Sequence, residues 1–278
     1  MSQITASDVN KLRQQTGAGM MDCKNALTEA GGDFQKAIEI LRKKGQKIAD
    51  KRSDREANEG YVVAKTDANE KKGILIALNC ETDFVAKNQD FIDLANSIAE
   101  TALAHNVKSI DELKQLESNG KTIEANITDE MGKIGEKLEI TAFEQINSER
   151  VVAYNHPGNK LATLVGVNIA DGDAVSKVAR EVAMQVAAMN PVALDKEDVS
   201  AETIEQELEI ARELARKEGK PEDMLDKIAQ GKLNKFYKES TLLNQDFVRD
   251  TKKTVRQYLG EVNKDLSVSA FRRVGLGI

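Results

Sequence analysis

The sequence predicts an α+β fold, and three observations carry that expectation. Apolar residues over the first 45 or so positions recur at i, i+3, i+4 and i+7, with capping residues and glycines at the breaks. A strand–strand–helix pattern then occurs twice. Further on, two helix-length amphipathic stretches are joined by a tight Gly-Lys-Pro turn. The expected architecture is an N-terminal three-helix module, a duplicated strand–strand–helix core and a protruding antiparallel helical hairpin.

In the module, Thr5-x-x-Asp8 has the form of a capping box. It opens a helix carrying Val9 and Leu12 that stops at Gly17. Asp22 is placed to cap a second helix with the apolar set Cys23, Ala26, Leu27 and Ala30, ended by Gly31-Gly32. Asp33 caps a third with Phe34, Ala37, Ile38 and Leu41, expected to end near Gly45. The charged stretch 46–58 has no sustained apolar phase and reads as a linker or a solvated helix.

The repeat follows. Val62-Val63-Ala64 is matched by Val151-Val152-Ala153, and Ile74–Asn79 by Thr163–Asn168 at the same separation. The helical sets Leu94, Ile98, Ala102 and Val178, Val182, Val186 match at a separation five residues shorter. The first copy therefore carries extra length within Glu81-Thr-Asp-Phe-Val-Ala-Lys-Asn-Gln-Asp90. Ile204, Leu208, Ala211 and Ala215 mark one narrow stripe of the hairpin; Leu225, Ile228, Ala229, Leu233 and Phe236 mark the other. A helix over Asp250–Val262 and a strand over Ser267–Val274 are expected to close the chain. These boundaries divide it into 1–55, 56–140, 141–195, 196–238 and 239–278.

Composition narrows the function classes. With 40% apolar and 31% charged residues and a net charge of −6, the 278-residue chain reads as globular, with no general affinity for nucleic acid. No apolar run approaches the ~18 residues of a membrane span, and the first residues resemble neither a signal peptide nor a transit peptide. Cys23 and Cys80 lie in apolar patterns, as buried thiols of a reducing compartment do, so a cytoplasmic location is expected. His105 and His156 are the two histidines, and no zinc spacing, phosphate-binding loop or nucleophile elbow occurs. The expectation is a binding protein rather than an enzyme, without cofactor, resident metal or nucleotide site.

Phe84 admits two readings. Phe84, Phe91 and Ile98 stand seven apart, so Phe84 suits a hydrophobic staple at a helix entrance. The extra length at a strand exit points instead to a displayed functional loop. Asp83 reads most simply as a cap or first-turn anion. Met20-Met21 lies between helices, where thioethers fill core gaps or line partner grooves. Arg13 has the pattern of a solvated helix residue, and His156 that of a turn residue in Tyr154-Asn-His-Pro-Gly158.

Asp8–Leu27 (DVNKLRQQTGAGMMDCKNAL) and Asn79–Lys87 (NCETDFVAK) resemble the two signatures of the bacterial elongation factor Ts family. The likeness extends along nearly the whole chain, and it identifies the N-terminal helices as a ubiquitin-associated-like module. Members of that family are guanine-nucleotide exchange factors for elongation factor Tu. The resemblance implies that Thr82, Asp83, Phe84 and Val85 dislodge Mg²⁺ from the partner's GTPase domain. It implies that Arg13, Met20 and Met21 grip that domain, and that His156 acts from the second core half. The chain departs from the family at Pro157–Ala162, where a glycine-rich turn and an Arg-x-Gly pattern are usual, and at Asp246, where proline is common. Two other classes are weighed beside it: a ubiquitin-associated-type adaptor, from the first 45 residues alone, and an RNA-binding translation protein, from the basic run Arg42–Arg55.

Overall fold

The computed structural model describes residues 4–170 and 172–277. Its helices and antiparallel strands make an α+β fold. In chain order the elements are α1 (Ala6–Thr16), α2 (Met20–Glu29), α3 (Phe34–Arg52), β1 (Glu59–Thr66), β2 (Lys72–Cys80), α4 (Asp83–Ala86) and α5 (Gln89–Ala104). Next come α6 (Ile110–Gln115), β3 (Glu117–Ser118), β4 (Lys121–Thr122), α7 (Ile123–Ile134), β5 (Glu139–Asn147), β6 (Arg150–Asn155), β7 (Leu161–Val167) and α8 (Asp173–Met189). The chain continues through α9 (Ala201–Lys217), α10 (Leu225–Ser240), β8 (Asp246–Phe247), β9 (Asp250–Thr254), α11 (Val255–Val262) and β10 (Val268–Gly275).

Two compact units form. One gathers the chain up to Val63, Ile76–Phe143 and the stretch from Val274; the other holds Ala64–Leu75 and Glu144–Arg273. Strand order is β1-β2-β5 in one sheet and β10-β7-β6 in another.

The first unit opens with the three-helix module around Val9, Leu12, Cys23, Ala26, Leu27 and Ala37. Thr5 caps α1 through the expected box: the Asp8 N–H donates to Thr5 Oγ1 and the Thr5 N–H to Asp8 Oδ2. Three expectations need correction. Helix α2 starts at Met20, with Gly19 at its cap and no side-chain cap, so Asp22 is a first-turn anion paired with Lys44 rather than the cap. Met20-Met21 is therefore the first turn of a helix and not a loop. Helix α3 runs through Gly45 to Arg52. Gly45 is not a stop but a point of close approach to α7. A Cβ there would lie 3.1 Å from the Thr128 carbonyl oxygen, and one on Gly132 only 2.9 Å from the Gly45 Cα. Two facing glycines let the two backbones touch.

The second unit is built on the β6–β7 hairpin, in register from Arg150↔Val167 to Asn155↔Ala162. Val178, Val182 and Val186 of α8 bury against it with Val165, Val167, Phe247 and Leu259. Phe247 stacks on Tyr258 with ring centroids 4.1 Å apart. Helices α9 and α10 form the antiparallel hairpin: Ala211, Ala215, Ala229 and Leu233 are buried at its seam, while Ile210, Leu214 and Met224 stay exposed. Arg212 bridges the helices to Asp226 at 3.0 Å. The closing segment differs from expectation at its start. Asp250–Thr254 is strand β9, paired to β8, and the helix begins at Val255, where Thr254 and Gln257 form a capping box. A cap with an acceptor hydroxyl sets the boundary more firmly than the apolar period does.

Candidate functional site

The repeat is visible as β1-β2-α5 and β6-β7-α8, and the extra length of the first copy is the four-residue helix α4 with its turn. Strand β2 is buried along almost its whole length and ends at Cys80. Thr82 is extended and caps α4, its hydroxyl accepting from the Val85 N–H at 3.4 Å. Asp83 is the first helical residue, so it is the first-turn anion and Thr82 is the cap. Lys87 reaches back to Asp83 at 2.7 Å, one turn on. Asn88 then caps α5 by accepting from the Asp90 N–H at 2.8 Å.

Along this turn the apolar residues divide. Val85 is 9% exposed and anchors α4, and Phe91 and Ile98 are interior. Phe84 is 83% exposed. The staple reading fails for it. The cap at Thr82 places position 84 on the outward side of a helix whose inward side is taken by Val85.

A carboxylate knot forms at the residues that lead into α4. Glu81, mostly buried, accepts from Arg52 Nη1 at 2.6 Å, Arg55 Nη1 at 2.9 Å and the Lys137 N–H at 2.7 Å. Burial on its own would raise the Glu81 pKa; the Lys137 N–H and the two guanidinium groups outweigh that and hold it at about 2. Because the folded value lies below the ordinary one near 4.5, the knot's contribution is complete above that pH and lost as pH falls toward about 2. Lys137 also donates its ammonium to the carbonyls of Ser53 (2.9 Å) and Arg55 (3.1 Å), at the end of α3. Glu136 takes the Thr82 N–H at 3.0 Å and the Thr82 hydroxyl at 2.7 Å. Cys80 Sγ points at the Thr82 carbonyl, 3.2 Å away. Burial first, and then the Glu136 charge, push this thiol up to about 12, so it is unreactive at neutral pH.

Arg13, in the last turn of α1, is exposed. Met20 (51% exposed) and Met21 (63%) form the start of α2, three residues of connection away. These three side chains thus share one end of the module. His156 lies in the second unit on the β6–β7 turn, exposed, with Tyr154 Oη 2.9 Å from its Nδ1. Among the described residues no group of three or more His, Cys, Asp or Glu could hold a metal ion, and no helix is long and apolar enough to cross a membrane.

Sequence reasoning missed Glu81, Glu136, Arg52 and Arg55 as parts of this site. In the sequence Glu81 appears only as one residue of the extra-length segment and of the NCETDFVAK signature, and Glu136 lies in a stretch with no assigned element. Local periodicity carries no signal for a contact between residues 82 and 136.

The family model described as elongation factor TS matches residues 81–278. The chain is 55% identical over 274 residues to elongation factor Ts of Amoebophilus asiaticus, covering 99% of each chain. It is 52% identical to that of Christiangramia forsetii over the whole of both chains. It is 43% identical to that of Chloroherpeton thalassium, covering 100% of this chain and 99% of the other. Together with the α+β fold, these matches define a translation elongation factor, a component of protein biosynthesis. The chain belongs to the elongation factor Ts family.

Proposed function

We propose that this chain is a cytoplasmic guanine-nucleotide exchange factor for elongation factor Tu, releasing GDP by disturbing the partner's Mg²⁺/phosphate site. The observation that carries the reading is Phe84: a large apolar ring, 83% exposed, held on a short helix whose neighbours are buried or paired. Sheltering such a ring in a partner supplies about 1.5–3 kcal/mol, available to part the elements beside a bound nucleotide. Each tenfold in GDP release requires about 1.4 kcal/mol off the barrier, so the ring accounts for one or two decades. Asp83 carries a negative charge into the same place, where it disfavours the phosphate–Mg²⁺ arrangement. Its pairing with Lys87 is an exposed one and yields on docking.

The remaining energy comes from grip. Arg13, Met20 and Met21 offer a cation and two adaptable thioethers at one end of the module, and His156 a second hold from the other unit. No bond is made or broken in this cycle, and the nucleotide and the metal stay the partner's. Arg52 and Arg55, at the end of the basic run that an RNA-binding reading would use, face Glu81 instead.

The test is release of fluorescent GDP from elongation factor Tu, followed by stopped flow with and without this protein. Marked acceleration is expected, and Phe84→Ala should reduce it by about 10- to 100-fold. An unaltered release rate with the parent protein would sink the reading.

A further inference from the structure

Glu81 and Glu136 make a reciprocal exchange between segments distant in sequence. The Thr82 N–H donates to Glu136, and the N–H of the residue after Glu136, Lys137, donates to Glu81, the residue before Thr82. Neighbouring pairs, 81–82 and 136–137, therefore each give one carboxylate and receive one main-chain N–H. The Thr82 hydroxyl closes the device by donating to Glu136 at 2.7 Å while accepting from the Val85 N–H at 3.4 Å. One side chain thus joins the exchange to the cap of α4. A helix of four residues has no stability of its own, because nucleation costs more than one turn of hydrogen bonds returns. Its direction must come from outside.

We propose that Glu81 and Glu136 form a clasp that fixes the direction in which Phe84 is presented, and that Glu136 is a positioning residue for nucleotide exchange. The inference rests on the exchange-factor reading above and deepens it. Burial of the ring in a partner counts toward the release barrier only if the ring arrives already oriented; a fraying spur uses that energy to order itself. Loss of the clasp therefore lowers the rate at saturation. A loss of folded protein would instead raise the concentration of factor needed and leave the plateau where it was.

The experiment compares the parent, Glu136→Ala, Phe84→Ala and the double variant, each titrated to saturation against elongation factor Tu loaded with fluorescent GDP. For Glu136→Ala the plateau rate should fall about tenfold, the scale of a charge-assisted hydrogen bond lost, with the half-saturating concentration moving less than about threefold. The double variant should be no slower than Phe84→Ala, since the clasp acts through the ring. Glu136→Gln, which keeps one acceptor oxygen and the shape of the side chain, should fall between parent and Glu136→Ala, and it serves in place of the alanine variant if that one does not fold. Amide exchange over residues 80–87 should quicken in Glu136→Ala while the rest of the chain is unchanged.

An unchanged plateau, additive losses in the double variant, or unaltered amide exchange would each overturn the clasp while leaving the exchange reading intact. A parent protein that fails to accelerate release would overturn that reading, and the positioning role with it.

Discussion

Phe84 and Phe91 are the same residue type, one heptad apart, and the sequence pattern treats them alike. In the folded chain one is 83% exposed and the other fully buried. What separates them is a cap: Thr82 starts a helix that stops at Ala86, and Asn88 starts another. The apolar period is thus broken between the two rings. The candidate loop was legible as extra length, but the fate of the ring was not, since two closely spaced caps look like an ordinary polar run. The pair makes a contrast within one protein. Phe91→Ala should destabilise by about 3–5 kcal/mol, as emptying a packed aromatic site does, whereas Phe84→Ala should stay within about 0.5 kcal/mol of the parent. Urea unfolding followed by far-ultraviolet circular dichroism measures both. A large loss from Phe84→Ala would mean that the ring is part of this chain's own core.

At the scale of elements, helices with an amphipathic period and a polar cap were legible, as with α1 from its Thr5–Asp8 box and α8 from its valines. Boundaries set by tertiary contact were not. Gly45 has the look of a helix end, yet it is where α3 meets α7, and its partner Gly132 lay in a stretch without a clear period. A glycine chosen for close approach and one chosen to stop a helix are the same letter. Substitution tells them apart. Gly132→Ala should destabilise by up to about 2 kcal/mol, the overpacking cost of about 1–3 kcal/mol outweighing the gain of about 1 kcal/mol in helix propensity. Gly231→Ala, in α10 with nothing within 4 Å of the added methyl, should keep that gain and stabilise the hairpin. Denaturant midpoints of the two variants should move in opposite directions; a shift of both the same way would remove the close-approach account of α3 and α7.

For the whole molecule, the proposed exchange function raises the question of how candidate contacts on two compact units would share that task. Binding energy that is equal with and without GDP on the partner holds the complex together but leaves the nucleotide's affinity unchanged. Only contacts that differ between the two states couple the factor to the nucleotide, and that coupling is the same in both directions. Phe84, on its clasped spur beside Asp83, belongs to the coupling class by the mechanism proposed here. Met20 and Met21, exposed side chains on the first turn of α2, are assigned by the same proposal to the uniform class. Titration calorimetry against elongation factor Tu, nucleotide-free and GDP-bound, separates them. Met20→Ala with Met21→Ala should weaken binding to both forms by the same factor. Phe84→Ala should chiefly weaken binding to the nucleotide-free form, narrowing the ratio of the two affinities by about one to two decades. GDP affinity of the factor-bound partner must then rise by that same ratio. If the methionine variants narrowed the ratio as much as Phe84→Ala does, the module would be part of the lever rather than the handle, and the division of labour between the units would have to be redrawn.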